Sequence, residues 1–173
     1  MKKAVSAILI GAGILAGAAE TTVLFSDPFD SAAKWFKNPA CETAKFGGGG
    51  TYEIVPDGES NKCLKVVTDA KQTFMFNLRT SVPVENGARV RIVFRVKGKG
   101  GIDISPMGKT ADSKTVYLLG GYEKVNAAEW EKIPFIVSFK DPKGAELKTL
   151  HLRMNVRPNS DLLIDSCTME KIK

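Results

Sequence analysis

Apolar side chains recur at every second position along most of this chain. In "RVRIVFRVKG", Val90, Ile92, Phe94 and Val96 alternate with Arg89, Arg91, Val93, Arg95 and Lys97. "TLHLRMNVR" repeats the pattern, with Leu150, Leu152, Met154 and Val156 against His151, Arg153, Asn155 and Arg157. Phe74, Phe76 and Leu78 share a face in "TFMFNLR", as do Ile133, Phe135, Val137 and Phe139 in "KIPFIVSF". A period of two with one apolar face predicts half-buried antiparallel strands. Shorter runs, "TYEIV", "CLKVV", "IDIS", "VYLLG" and the closing "SDLLIDSCTMEKI", extend the set.

Turn signals punctuate these runs: Gly47–Gly50, Pro56–Ser60, Glu85–Gly87, Lys97–Gly101 and Asp141–Gly144. Glycine, proline, asparagine and aspartate supply the backbone angles that tight turns require. Frequent short strands without a sustained helical period predict an all-β, antiparallel β-sandwich or barrel. "DSAAKWF" is the one stretch read as a helical turn. No repeat or linker divides the chain.

The first residues differ in kind. "MKKAVSAILIGAGILAGAAE" has a two-lysine start, an apolar run from Ala4 to Leu15 and small residues before Glu20. That layout predicts a signal peptide over residues 1–19, too short for a membrane span, and one domain over 20–173. The expected location is secreted or periplasmic, with no membrane span after cleavage. Loss of Lys2 and Lys3 with the leader lowers the formal charge from +6 to +4. The basic residues are dispersed along strands, which argues against a nucleic-acid partner.

The three cysteines and single histidine fit no zinc spacing. In an oxidising compartment they predict one disulfide and one thiol. Strand alternation turns Cys63 outward beside Lys65 and groups Leu163, Cys167 and Met169 on one core face. A Cys41–Cys63 bridge with Cys167 buried and free is the expected arrangement.

Several segments then line up in order: "SDPFDSAAKW", "GESNKCLKV", "ENGARVRIVFRVKGKG", "AAEWEKIPFIVSF", and "LKTLHLRMNV" leading to "LLIDSCTMEKI". Together they resemble the secreted carbohydrate-binding modules of the cellulose- and xylan-binding type. The resemblance implies a jelly-roll (galactose-binding-like) topology and a non-catalytic, polysaccharide- or glycan-binding function. It also implies a structural calcium held between the "F-acidic" segment and the last strand, with backbone carbonyls completing the shell, which would make Asp27 or Asp30 and Asp165 ligands. A buried carboxylate is tolerable when it is paired or coordinates a metal. Read from the residues alone, Asp165 caps a turn or faces water. Trp35 and Trp130 are expected to serve the core, with Trp130 packed under the sandwich edge.

If one sheet combines "CLKVV", "TLHLRMNV", "RVRIVFRV" and part of the "IDIS"/"VYLLG" region, its outward residues are Lys65, Arg91, Arg95, His151, Arg153 and Asn155, with Tyr117. Family members bind glycans across this face by stacking sugars on aromatic rings. Here the face is rich in cations, which suits an acidic glycan carrying uronate or sulfate. Tyr52, Tyr117 and Tyr122 are available to stack a sugar from loops. Glycoside hydrolysis needs two carboxylates at a defined separation, and no acidic pair falls on the expected face, so the expectation is no enzyme. A solvated charged face on a structural or protein-interaction sandwich of the cell envelope is the alternative.

Overall fold

The computed structural model describes residues 21–58 and 61–172. The leader and its cleavage site lie outside the described residues. Among the described residues there are eleven strands: β1 (Thr22–Asp27), β2 (Trp35–Lys37), β3 (Gly50–Asp57), β4 (Asn61–Thr68), β5 (Phe74–Leu78), β6 (Val82–Pro83), β7 (Arg89–Thr110), β8 (Thr115–Tyr117), β9 (Tyr122–Ser138), β10 (Leu147–Val156) and β11 (Asp161–Ile172). The helical turn expected in "DSAAKWF" is a single 3-10 turn at Ala32–Lys34, and another spans Pro39–Glu42.

The ladder runs β2–β5–β10–β7–β11–β4–β3, with β1 on β11, β6 on β10, and β8 and β9 on β7. It is one curled sheet whose two halves face each other. The first half holds β3, β4, β11, β1 and the early part of β7 with the late part of β9. The second holds β2, β5, β6, β10 and the late part of β7 with β8 and the start of β9. The result is an antiparallel jelly roll. Val90, Ile92, Phe94 and Val96 from one half meet Leu150, Leu152, Met154 and Val156 from the other in one buried cluster. These are the residues that the alternation in "RVRIVFRVKG" and "TLHLRMNVR" turns inward.

Two strands are longer than the sequence pattern suggested. "KGKGG" is not a break between strands but the corner at which β7 passes from one half to the other. Gly98 (φ 118°) turns that corner, and a Cβ there would lie 2.2 Å from the Asp161 carbonyl oxygen. Only glycine gives both the backbone angle and the close approach. β9 likewise runs unbroken through "EKVNAAEW" beside β7, so Trp130 lies within a strand rather than at the start of one.

The carboxylate in the closing strand has a geometric cause. Ile164 pairs with Val96 and Ser166 with Arg95, leaving Asp165 as the extra residue of a β-bulge. One extra residue shifts the alternation by one. Leu162 and Ile164 before the bulge, and Cys167 and Met169 after it, are therefore all buried. Leu163, expected beside Cys167 and Met169, instead lies half-buried in register with Lys97.

Candidate functional site

The sequence-derived binding residues do not share one face. Lys65, Arg91 and Arg95 project from the outer side of the first half, whereas Tyr117, His151, Arg153 and Asn155 project from that of the second. Strand order is the reason: β10 pairs with β5 and the late part of β7, while β4 pairs with β3 and β11.

On the first face the arginines are already matched. Arg91 Nε donates to Glu170 Oε2 at 2.8 Å, and Arg95 Nη1 donates to Asp165 Oδ2 at 2.9 Å. The Arg95 guanidinium also lies 4.7 Å from the centroid of the Trp130 ring. Trp130 thus stacks on a cation at the surface instead of packing under the sandwich edge. Trp35 is buried as expected, stacked on Phe29 at 5.5 Å.

On the second face the register builds three rows. Phe36, Asn77, Arg153 and Ser105 form one row across β2, β5, β10 and β7. His151, Met107 and Tyr117 form a second, and Met75, Asn155, Asp103 and Tyr122 a third. A groove of about 350 Å³ crosses the first two rows and is lined by Phe36, Arg79, Lys109, Tyr117, His151 and Arg153 among others. Among the described residues, no Asp or Glu lines it. Arg153 Nε donates to Asn77 Oδ1 at 2.8 Å, which orients the guanidinium without neutralising it. Arg79 lies 5.4 Å from the Phe36 ring centroid. Burial, together with the charge of Lys109, pushes the His151 pKa below its ordinary value. Tyr117, 74% exposed, stands at the groove's far side.

Asn155 belongs to a buried polar cluster in the third row. Its amide donates to Asp103 and to Ser105 Oγ, and Asp103 also pairs with Arg157. The Asn155 amide oxygen is buried without a hydrogen-bond partner. Arg79, Lys109, Asp103 and Phe36 were missed as site residues. For Arg79 and Phe36 the missing information was that β2 and β5 extend this face; for Lys109 it was that β7 continues past its glycines.

The three expected calcium ligands do not converge on one point. Asp27 is buried, accepting from Trp35 Nε1 at 2.7 Å and from the Phe29 amide at 3.3 Å, with Lys34 Nζ 3.4 Å away. Asp165 points to the outer face and is bound by Arg95. Asp30 is exposed. Hard cations need several converging oxygens, and among the described residues no cluster of three or more His, Cys, Asp or Glu side chains could hold a metal. The expected disulfide is also corrected. All three cysteines are free and buried, because Cys41 sits against β5, where the Met75 amide donates to its sulfur at 3.0 Å, while Cys63 faces Asp57 and Asp165.

No family profile matches the chain, and neither does a curated protein sequence. Solved structures do. A xylan-binding domain from Paenibacillus barcinonensis superposes with a TM-score of 0.58 at 17% identity, covering 90% of this chain and 98% of that one. A family 11 carbohydrate-binding module from Clostridium thermocellum, solved with a β-1,3-1,4-mixed-linked tetrasaccharide, matches with a TM-score of 0.54 at 13% identity over 90% and 96% of the two chains. The enzymatically active domain of a tailspike protein from bacteriophage CBA120 matches with a TM-score of 0.57 at 13% identity, covering 84% of this chain and 20% of that one. In fold, this chain is similar to the jelly rolls of carbohydrate-binding modules.

Proposed function

We propose that the protein is exported and binds an acidic polysaccharide, bearing uronate or sulfate groups, across the outer face of its second half-sheet, without catalysis. One observation carries the reading: Arg79, Lys109, His151 and Arg153 line a groove that, among the described residues, no Asp or Glu side chain lines. Guanidinium groups fork onto carboxylates and sulfates, and Phe36 and Tyr117 flank the cations with rings that can pack on sugars. The Asp103 carboxylate in the neighbouring row is engaged by Arg157 and Asn155. Asparagine, serine, arginine and histidine occupy the rows around it, where hydrolysis would need a second carboxylate.

Calorimetric titration with glucuronoxylan, polygalacturonate, a sulfated galactan and unsubstituted xylan tests this reading. Binding to an acidic polymer should weaken with salt, and Arg153→Ala should weaken it by about 1.5–3 kcal/mol, the range for hydrogen bonds to charged groups. Binding indifferent to Arg153 would place the site elsewhere.

A second reading, contact with an envelope protein, draws on Leu119, which is 90% exposed between Tyr117 and Tyr122. Capture of a protein partner that is lost in Leu119→Ser, with no polymer bound, would favour it.

A further inference from the structure

The strands β2 and β3 end the ladder on its two sides, and no ladder joins them. The sandwich is therefore open along that edge, and two hollows lie in the opening. The inner one, about 210 Å³, is lined by Trp35, Phe36, Lys37, Tyr52, Phe76 and Arg79 among others. The outer one, about 590 Å³, is lined by Lys37, Thr43, Gly48, Thr51, Tyr52 and Gln72 among others. Lys37 and Tyr52 line both. Phe36 and Arg79 line both the inner hollow and the groove on the second face. The three hollows thus follow one another around the β2 edge.

We infer that this trench is a second saccharide subsite, in which Tyr52 stacks a neutral sugar of a chain whose acidic group lies at Arg153. The inference rests on the glycan reading above and adds a location and a residue class to it. Tyr52 is suited to the task. Its ring meets Phe74 and Phe76 edge-on, each at 5.3 Å, and is still 39% exposed. A ring already fixed loses little freedom when a sugar packs on it. Lys37 faces Tyr52 across the opening, 5.9 Å from the ring centroid, and its charge is matched by Glu42 at 2.7 Å. With that charge matched, the exposed Thr51 hydroxyl is left to hydrogen-bond an uncharged residue, while the Gln72 amide is held by Gly48, Cys41 and Thr73. The outer hollow falls within the roughly 300–1,000 Å³ typical of small-ligand sites.

Acidic xylo-oligosaccharides of three and of eight residues distinguish the outcomes. The longer ligand should bind wild type about tenfold more tightly, a stacking-sized effect. Tyr52→Leu should abolish that gain and leave the short ligand's affinity unchanged, and Tyr52→Phe should retain it. Thermal melting of each variant shows whether the fold is kept. A Tyr52→Leu protein that keeps the length dependence overturns the trench subsite. So does a wild type whose Arg153-dependent binding does not rise with length, and in that case the groove on the second face stands. If neither oligosaccharide binds wild type, the glycan reading falls and the trench with it.

Discussion

Arg95 and Asp165 face each other across β7 and β11, joined at 2.9 Å where the closing strand carries one residue more than its partner. The bulge and the ion pair have different consequences. Asp165→Ala removes an acceptor but keeps the extra residue, so register survives. Both side chains retain some solvent, so the cost should be about 0.5–1 kcal/mol. Deleting Asp165 would join Ile164 directly to Ser166, which keeps Ile164 opposite Val96 and Cys167 opposite Phe94, so the inward set survives without the bulge. We expect the deletion, like Asp165→Ala, still to melt cooperatively, measured by near-ultraviolet circular dichroism and calorimetry, and loss of cooperative melting in the deletion alone would show that the bulge itself is required.

That bulge also marks how far sequence pattern reaches. The inward set of β7, β10 and β5 was legible because antiparallel strands with one wet face must alternate. Asp165 was legible as an anomaly but not as a bulge, since an inserted residue is defined by the strand opposite. The division of Arg91 from Arg153 was not legible either. Alternation shows which side chains of a strand point outward and is silent on which strand lies beside it. Gly98 was read correctly as a backbone special and wrongly as a break, because a corner and a turn call for the same residue.

Asp27 and Trp35 make a prediction about metal. The Asp27 carboxylate is occupied by an indole N–H and a backbone amide, so stability should not depend on calcium. The melting temperature should be the same in chelator and in added calcium. A rise with calcium that vanishes in Asp27→Ala would restore the metal. Asp27→Ala itself should cost about 1–3 kcal/mol, the penalty of leaving a buried donor unpaired.

The corner of β7 offers the sharpest steric test. Gly98→Ala would adopt a left-handed backbone with its Cβ against the Asp161 carbonyl. We expect more than about 2 kcal/mol of destabilisation by urea unfolding. Gly144 also has positive φ (87°), but an added Cβ there meets nothing within 4 Å. Gly144→Ala should therefore cost only the backbone strain, about 1–2 kcal/mol.

The cysteines should prove to be three free thiols on peptide mapping without reductant. Burial pushes the Cys167 thiol well above its ordinary pKa. Cys63 is raised by burial and then by Asp57 and Asp165. Thiolate is the reactive form, so alkylation of the native protein near neutral pH should be slow at both and complete only after unfolding. A cross-linked Cys41–Cys63 peptide would contradict the packing of Cys41 against β5.

His151 links stability to pH, and the direction follows from its depressed pKa. Burial, with help from Lys109, disfavours the imidazolium in the folded protein relative to the unfolded chain, whose pKa is about 6.5. Between those two values the unfolded state binds more protons, so its contribution makes folding less favourable as pH falls. The full contribution is present above pH 6.5, declines below it, and stops changing once the folded-state histidine is also protonated. His151→Gln should flatten the slope of melting temperature against pH in that window and leave it unchanged above. Binding should move the other way, since protonated His151 adds a cation to the groove beside Arg153 and Lys109. Affinity for an acidic glycan should therefore rise as stability falls, and calorimetry at pH 5.5 and 7.5 on wild type and His151→Gln reads both effects. An affinity gain at low pH that survives in His151→Gln would assign the titration to another group.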